Sequence, residues 1–179
     1  MNQVLHLIIS NNLAFICFLL VIFYNIHIQK ESILRISSVM SLLTVAAYSV
    51  LGCFDAAAAS LFALLRNQIC LKYPDQKKGL FVKVLILVVG TVFSAWCAYQ
   101  RGGTWVAYLP AVSYLFCSCG YYLTKSASAM RIINAVDILL FWLVFDYLNL
   151  MVFNVATDLF VVTFPFVERY VRLDKTEST

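Results

Sequence analysis

Charged side chains are scarce in this sequence of 179 residues: Asp, Glu, Lys and Arg make up only 12% of it, whereas 63% is hydrophobic. A soluble domain is about a quarter charged and about half apolar. A soluble fold of this length could not enclose so much apolar surface, so the composition excludes an ordinary soluble domain. With a mean hydropathy of +0.87, the chain is predicted to be one all-α integral membrane domain over residues 1–179.

The signatures of metal, nucleotide and nucleic-acid binding are also missing. The six cysteines form no C-x-x-C pairs and lie far in sequence from His6 and His27, which argues against a zinc site. There is no phosphate-binding loop, no dinucleotide fingerprint and no set of nucleophile, base and orienting residue. The net charge of +4 is not gathered into a phosphate-binding patch. We therefore predict no enzyme activity, no cofactor, no metal and no nucleic-acid partner.

The chain contains instead a series of apolar runs, each close to the 20 or so residues that a helix needs to cross a bilayer. The first run lacks a preceding basic region and a small-residue cleavage site, so it is predicted to be a retained span and not a signal peptide. The seven predicted spans are residues 4–26, 36–52, 54–71, 80–99, 106–124, 132–148 and 150–167.

The basic residues predict how these spans are oriented. All but two of the 13 lie on the side of the C-terminus, and Lys and Arg are enriched on the cytoplasmic side of membrane proteins. The count therefore predicts an outside N-terminus and an inside C-terminus. The inner residues are Lys30, Arg35, Lys72, Lys77, Lys78, Lys83, Lys125, Arg131, Arg169, Arg172 and Lys175; the outer one is Arg101, and Arg66 lies within a span.

The order of the connections predicts an internal repeat. Spans one to three and spans five to seven both run helix, basic loop, helix, tight acidic turn, helix, with Asp55 and Asp146 in the two turns. The fourth span makes the two units parallel, as in one class of transporters. We predict a three-helix unit over 1–73, a linker helix over 80–99, a second three-helix unit over 106–172 and a frayed polar tail over 173–179.

Arg66 stands in the third span, near the end of the stretch DAAAASLFALLRNQ. A charge near the centre of a membrane helix costs roughly 2.5–3.5 kcal/mol on insertion scales, so it needs a partner or water. The small residues on one stripe of this helix allow close approach of another helix, which predicts a central position. Two interpretations are open: an anion or carboxylate partner in a cavity, or an arginine that snorkels to the inner headgroups.

Asp158 lies close to the middle of the seventh span, on one side of the helix with Asn154. Its stem is too short to snorkel, so it must be protonated, hydrated or paired, or else act as a neutral group that bonds two helices. Spans three and seven take equivalent places, and at about 1.5 Å per residue the depths of Arg66 and Asp158 differ by about 6 Å. The sharpest hypothesis is therefore an Arg66–Asp158 pair.

Other polar residues in the spans have two interpretations each. Asp137, with Asn134, lies near the cytoplasmic end of the sixth span, where solvation is the favoured interpretation. Asn11 and Asn12 interrupt the first span, and they either line a cavity or bond a neighbouring helix.

The stretch LGCFDAAAASLFALLRNQICL, residues 51–71, and the RISSVMSLLTVAAYSV before it resemble the YgjV family of bacterial inner-membrane proteins. A span ending in Leu51 and Gly52, followed by an alanine-rich helix that closes on Arg66, matches the pattern of that family. The segment VERYVR near the C-terminus resembles the closing segment of the family. The resemblance implies a multi-pass location in the bacterial inner membrane and does not imply a particular activity.

The arrangement of three, one and three spans also resembles the topology of the sugar-transporting SWEET proteins, which hinge at prolines in the first two helices of each unit. Here only Pro110 occupies such a place, so sugar transport is not predicted. Pro110 and Pro165 are the candidate gating or hinge residues.

Two functions are predicted. The first is a small-solute transporter in which Arg66, Asn67, Asn154 and Asp158 surround a midplane cavity; its partners are the lipid bilayer and a small polar or anionic solute. The second is a non-transporting assembly or regulatory protein in which these groups only lock the bundle. The oligomeric state is left open.

Overall fold

The computed structural model describes residues 2–26, 30–74, 77, 79–124 and 126–177, without the side chains of residues 2, 23–26, 127 and 165–177. Every regular element in these ranges is helical, which confirms the all-α prediction. The elements are α1 (Asn2–Ile26), α2 (Lys30–Leu51), α3 (Phe54–Lys72), α4 (Leu80–Gln100), α5 (Trp105–Leu123), α6 (Ala127–Asp137), a π-helical turn (Ile138–Trp142), α7 (Leu143–Leu148) and α8 (Val152–Glu177).

The described residues form seven helical rods in the order of the seven predicted spans, because α6, the π turn and α7 run on without a break. The sixth rod begins at Ala127 and not at residue 132, because Ser126 caps it: its Oγ accepts a hydrogen bond from the amide of Ala129 at 3.4 Å. The last rod continues to Glu177. The described part of the predicted frayed tail, residues 173–177, is therefore helical.

Five of the rods are long and apolar enough to cross a membrane. The α3 helix is less apolar because it carries polar side chains, four of which are buried: Asp55, Ser60, Arg66 and Asn67 at 0, 5, 4 and 0% exposure. Its leucines Leu61 and Leu65 face outward. The predicted central position of this helix is confirmed. The five apolar spans are Gln3–Ile22, Lys30–Leu51, Leu80–Gln100, Trp105–Leu123 and Ser128–Leu148, and Val152–Phe164 is a shorter apolar helix.

Six of the rods pack into a closed ring. Going round it, α1 contacts α2, then α3, then α5, then the rod of α6 and α7, then α8, which returns to α1. The α4 helix stands outside the ring, against α3 and α5. Polar side chains that face the axis of such a ring are shielded from lipid by the helices themselves.

The two tight hairpins have the same backbone turn, 98 residues apart. Gly52 and Leu150 both adopt a left-handed backbone, with φ of 75° and 58°. The amide that follows each of them donates to a carbonyl five residues back, that of Tyr48 in one turn and that of Asp146 in the other. The matching geometry supports an internal repeat in which Tyr48 and Asp146 take equivalent places.

Because Tyr48 is the equivalent of Asp146, the predicted equivalence of Asp55 and Asp146 in the two turns is wrong. Asp55 lies in the first turn of α3, after its hairpin, whereas Asp146 lies in α7, before its own. Both carboxyl groups are buried and neither belongs to an exposed acidic turn. The complete parallel arrangement of two three-helix units and the orientation in the membrane stay predictions.

Gly90 lies where α4 packs on the ring, and it yields a testable prediction. A Cβ atom at this position would lie 2.5 Å from Cε1 of Tyr114 and 2.8 Å from Cγ of Phe62. In an open helix, Gly→Ala stabilises by about 1 kcal/mol. Because Tyr114 is buried and its hydroxyl donates to the carbonyl of Ile86, its ring cannot yield without a cost, and Gly90→Ala is expected to lower the free energy of unfolding by about 1–3 kcal/mol.

The measurement is equilibrium unfolding by SDS in mixed micelles. Val92→Ala is the matched control on the same helix, because Val92 is 63% exposed and its replacement is expected to change stability by under about 0.5 kcal/mol. Equal stability of the two variants would show that Gly90 does not dock α4 on the ring.

Candidate functional site

A cavity of about 190 Å³ lies within the ring, and every rod except α4 contributes to its wall. At about 30 Å³ per water molecule, the space equals roughly six waters, which is the size of a small solute. The wall combines three carboxyl groups and one guanidinium with serine, threonine and aromatic side chains. Its charged and amide-bearing residues are Arg66, Asn134, Asp137, Asp146, Asn154 and Asp158.

Three of the four predicted site residues, Arg66, Asn154 and Asp158, line this one cavity. The fourth, Asn67, is fully buried beside it and holds Arg66 in place. The residues predicted from the sequence therefore lie together in the fold, although their helices, α3 and α8, are far apart in the sequence. Their role in substrate binding stays a prediction.

Arg66 does not snorkel, because it is only 4% exposed. Its Nε and one terminal nitrogen donate to Oδ1 of Asn67 at 3.2 and 3.0 Å, and its other terminal nitrogen donates to Ser118 Oγ at 3.5 Å. The guanidinium carbon lies 4.1 Å from the centre of the Tyr121 ring. Asn67 is fixed in turn by a 3.0 Å hydrogen bond to Ser37 Oγ. Its own helix and α5 thus supply Arg66 with neutral partners.

The predicted Arg66–Asp158 pair is wrong. In the part of the chain that the structure describes, the ion pairs are Arg35–Glu31 and Arg101–Asp55. The α8 helix begins at Val152 and not at residue 150, which places Asp158 only about 9 Å from that end of its helix at 1.5 Å per residue. Arg66 is about 18 Å from the corresponding end of α3, so the difference in depth is larger than predicted.

Asp137 is the carboxyl group at the depth of Arg66, and its predicted solvation is wrong. It is 4% exposed and lines the cavity. It lies about 16 Å from the tight-turn end of its rod. Its Oδ2 accepts a 2.9 Å hydrogen bond from Ser113, and its Oδ1 has no hydrogen-bond donor among the described residues. Asp137, and not Asp158, is therefore the carboxyl group nearest in depth to Arg66, although neither of them forms an ion pair with it in the described part of the chain.

The π turn directly follows Asp137 and ends at Trp142, whose side chain lines the cavity. Single π turns inside α-helices are rare and are frequent at functional sites. The π turn makes the helix wider where it packs against α5 and α8. Composition and hydropathy gave no indication of it, because the residues involved, ILLFW, read as ordinary membrane helix.

A cluster of Tyr48, Asp146, Asn154 and Asp158 forms the other charged part of the wall. The Tyr48 hydroxyl donates to Oδ1 of Asp146, and Asn154 Nδ2 donates to the Tyr48 hydroxyl at 2.9 Å and to Asp146 at 3.4 Å. Asp158 lies one helical turn after Asn154, and its Oδ2 has no hydrogen-bond donor among the described residues. Tyr48 and Asp146 were not predicted as site residues; aligning the two hairpins at an offset of 98 residues would have matched them.

The remaining polar candidates are Asn11 and Asn12 of the first span. Asn11 donates to the carbonyls of Leu7 and Leu150 at 3.0 and 3.3 Å and accepts from the amide of Phe153, so it bonds a neighbouring helix. Asn12 is exposed. Asn11 and Asn12 are both outside the lining of the cavity.

The two candidate hinge residues are Pro110 and Pro165. Pro110 is buried within α5, near residues that line the cavity. The backbone of Pro165 belongs to α8, but its side chain lies outside the described residues. A gating role for either residue stays a prediction.

No curated protein and no solved structure gives a significant match to this chain. One family model matches: Imp-YgjV, described as bacterial inner membrane protein, over residues 8–172. This range includes the whole cavity wall and all the rods of the ring except the outer ends of α1 and α8. With five long apolar helices to cross the bilayer, the chain belongs to the Imp-YgjV family and is a multi-pass protein of the bacterial inner membrane.

Proposed function

We propose that the protein carries a small solute across the bacterial inner membrane and that the central cavity is its binding site. The observation that supports this most is the convergence of charged and amide side chains from three different rods on one cavity. Ionisable residues within membrane spans mark substrate or ion pathways, because their burial is otherwise costly.

The depth of the cavity also supports transport. Arg66 and Asp137 lie about 18 and 16 Å from the tight-turn ends of their rods, and a hydrocarbon layer is about 30 Å thick, which supports a position of both residues near its middle. Transporters built from repeats bind their substrates at this level, between the repeats. The matching turns near Gly52 and Leu150 fit that plan.

Access to the cavity tests the proposal without knowledge of the substrate. Ala63→Cys and Ser41→Cys place thiols on the cavity wall, in a background where the six native cysteines are replaced. If the protein alternates between open states, a membrane-impermeant thiol reagent should label both positions from either face. Labelling is measured in right-side-out and in inverted vesicles.

Ala98→Cys is the control, because Ala98 is fully buried on α4 and lies outside the cavity lining. It should stay unlabelled from both faces. Absence of labelling at Ala63→Cys and Ser41→Cys from one or both faces would argue against transport.

The second candidate is a non-transporting membrane protein in which the polar groups lock the bundle. Its specific support is that Arg66 already has protein partners in Asn67, Ser118 and Tyr121. Hydrogen bonds between membrane helices stabilise by about 0.6 kcal/mol on average. This candidate requires a cavity that no reagent enters, so the same labelling experiment separates the two functions.

A further inference from the structure

The charges on the cavity wall favour one class of solute. Three carboxyl groups, those of Asp137, Asp146 and Asp158, face one guanidinium, that of Arg66. In a low-dielectric site, an excess of negative groups attracts a cation and repels an anion. Asp137 lies at about the depth of Arg66, so the carboxyl groups in excess are those of Asp146 and Asp158.

The burial of these two carboxyl groups points to a ligand. Each is at most 6% exposed and lines the cavity, and Oδ2 of Asp158 has no hydrogen-bond donor among the described residues. Ionised carboxyl groups only accept hydrogen bonds. Two buried carboxyl groups on the wall of one cavity therefore need a proton or an N–H cation in that cavity.

Aromatic rings form the wall beside this pair. Trp142 and Tyr48 both line the cavity, with their rings stacked at a centroid distance of 5.8 Å. The face of an indole attracts organic cations more strongly than that of any other aromatic side chain. A wall that combines acceptors with aromatic rings suits an ammonium group attached to a short carbon chain.

Size and geometry argue against a bare metal ion. In the part of the chain that the structure describes, no three His, Cys, Asp or Glu side chains converge closely enough to hold one. The cavity, with its volume of about 190 Å³, accommodates a molecule of several non-hydrogen atoms.

We propose that the cavity binds a small organic ammonium ion, with Asp146 and Asp158 accepting its N–H groups and Trp142 covering its carbon chain. This assignment rests on the proposed transport function and names its substrate class. Arg66 then serves to hold the wall together, and it does not receive an anionic substrate.

Three probes of equal length test the charge preference: n-propylammonium chloride, sodium propionate and propan-1-ol, at equal ionic strength. The Tm of the purified full-length protein is measured against the concentration of each. A ligand of the folded state at about 100 times its Kd is expected to raise Tm by roughly 5–10 °C. We expect this rise with propylammonium and no rise with the other two probes.

Variants locate the site. Asp158→Asn should weaken propylammonium binding by at least about tenfold, because the charge partner is lost. Trp142→Leu should weaken it by about threefold or more. Asp55→Asn is the matched control: its carboxyl group is equally buried but lies outside the cavity lining, and its Kd for propylammonium should equal that of the wild type.

A Tm rise with propionate, or with none of the probes, would overturn the assignment; the second result would mean that the carboxyl pair holds only a proton. A rise that persists unchanged in both Asp158→Asn and Trp142→Leu would overturn it as well. If Ala63→Cys is labelled from both faces but propylammonium does not bind, the substrate class is refuted and the transport proposal is not. Binding without such labelling refutes transport and leaves a cation-binding membrane protein.

Discussion

Replacing Arg66 with methionine is expected to lower the free energy of unfolding by about 3–5 kcal/mol, because it removes the guanidinium from a cavity wall that carries three buried carboxyl groups. Methionine has a similar length and a flexible apolar side chain, so little of the loss comes from a void. The guanidinium is 4% exposed, donates to Asn67 and Ser118 and packs on the Tyr121 ring. Unfolding by SDS in mixed micelles measures the change.

A double-mutant cycle identifies the counter-charge. Once Asp137→Asn has removed the carboxyl charge, Arg66→Met should cost less, with a coupling energy of about 0.5–3 kcal/mol between the two sites. The matched cycle pairs Arg66→Met with Asp158→Asn, and we expect these effects to add within about 0.5 kcal/mol. The reverse result, strong coupling to Asp158 and none to Asp137, would show that Arg66 pairs with Asp158 after all.

The helices of this protein are predictable from the sequence because they depend on local properties. A run of about 20 apolar residues must form a helix in a bilayer, whatever its neighbours are. The central position of α3 was predictable for a similar reason, since its alanine stripe and Arg66 are tolerated only where other helices cover them.

The partners of the charged residues were not predictable, because they depend on depth and on the closure of the ring. The sixth rod begins at Ala127 and not at residue 132, which places Asp137 about 7–8 Å deeper than expected. A start of α8 at Val152 likewise moved Asp158 away from Arg66. Small errors in helix boundaries thus changed which carboxyl group lies nearest in depth to Arg66.

The residues of the cavity wall were likewise predictable only in part. Arg66, Asn154 and Asp158 were found because an isolated polar residue in an apolar run requires an explanation. Tyr48 and Trp142 were missed, because aromatic residues are ordinary components of membrane helices. Only the packing of α2 against the π turn and α7 shows that both rings belong to the cavity.

Replacing Arg101 with alanine is expected to lower the free energy of unfolding by about 3 kcal/mol, although this residue lies outside the membrane spans. One terminal nitrogen of Arg101 donates to both carboxyl oxygens of Asp55, at 3.2 and 3.1 Å, and the other donates to Asn149 at 2.6 Å. Arg101 thus ties the two tight hairpins to the loop after α4. The Asp55 side chain is fully buried, so removal of Arg101 leaves a buried carboxyl group without its charge partner.

Two comparisons separate this cause from a general loss of contacts. The double variant Arg101→Ala with Asp55→Ala should recover part of the stability, because no buried charge remains. The matched control is Arg35→Ala, since Arg35 and Glu31 form an ion pair whose side chains are 71% and 63% exposed. Such exposed pairs contribute under about 1 kcal/mol. If Arg101→Ala and Arg35→Ala unfold at the same SDS fraction, the buried pair does not hold the hairpins together.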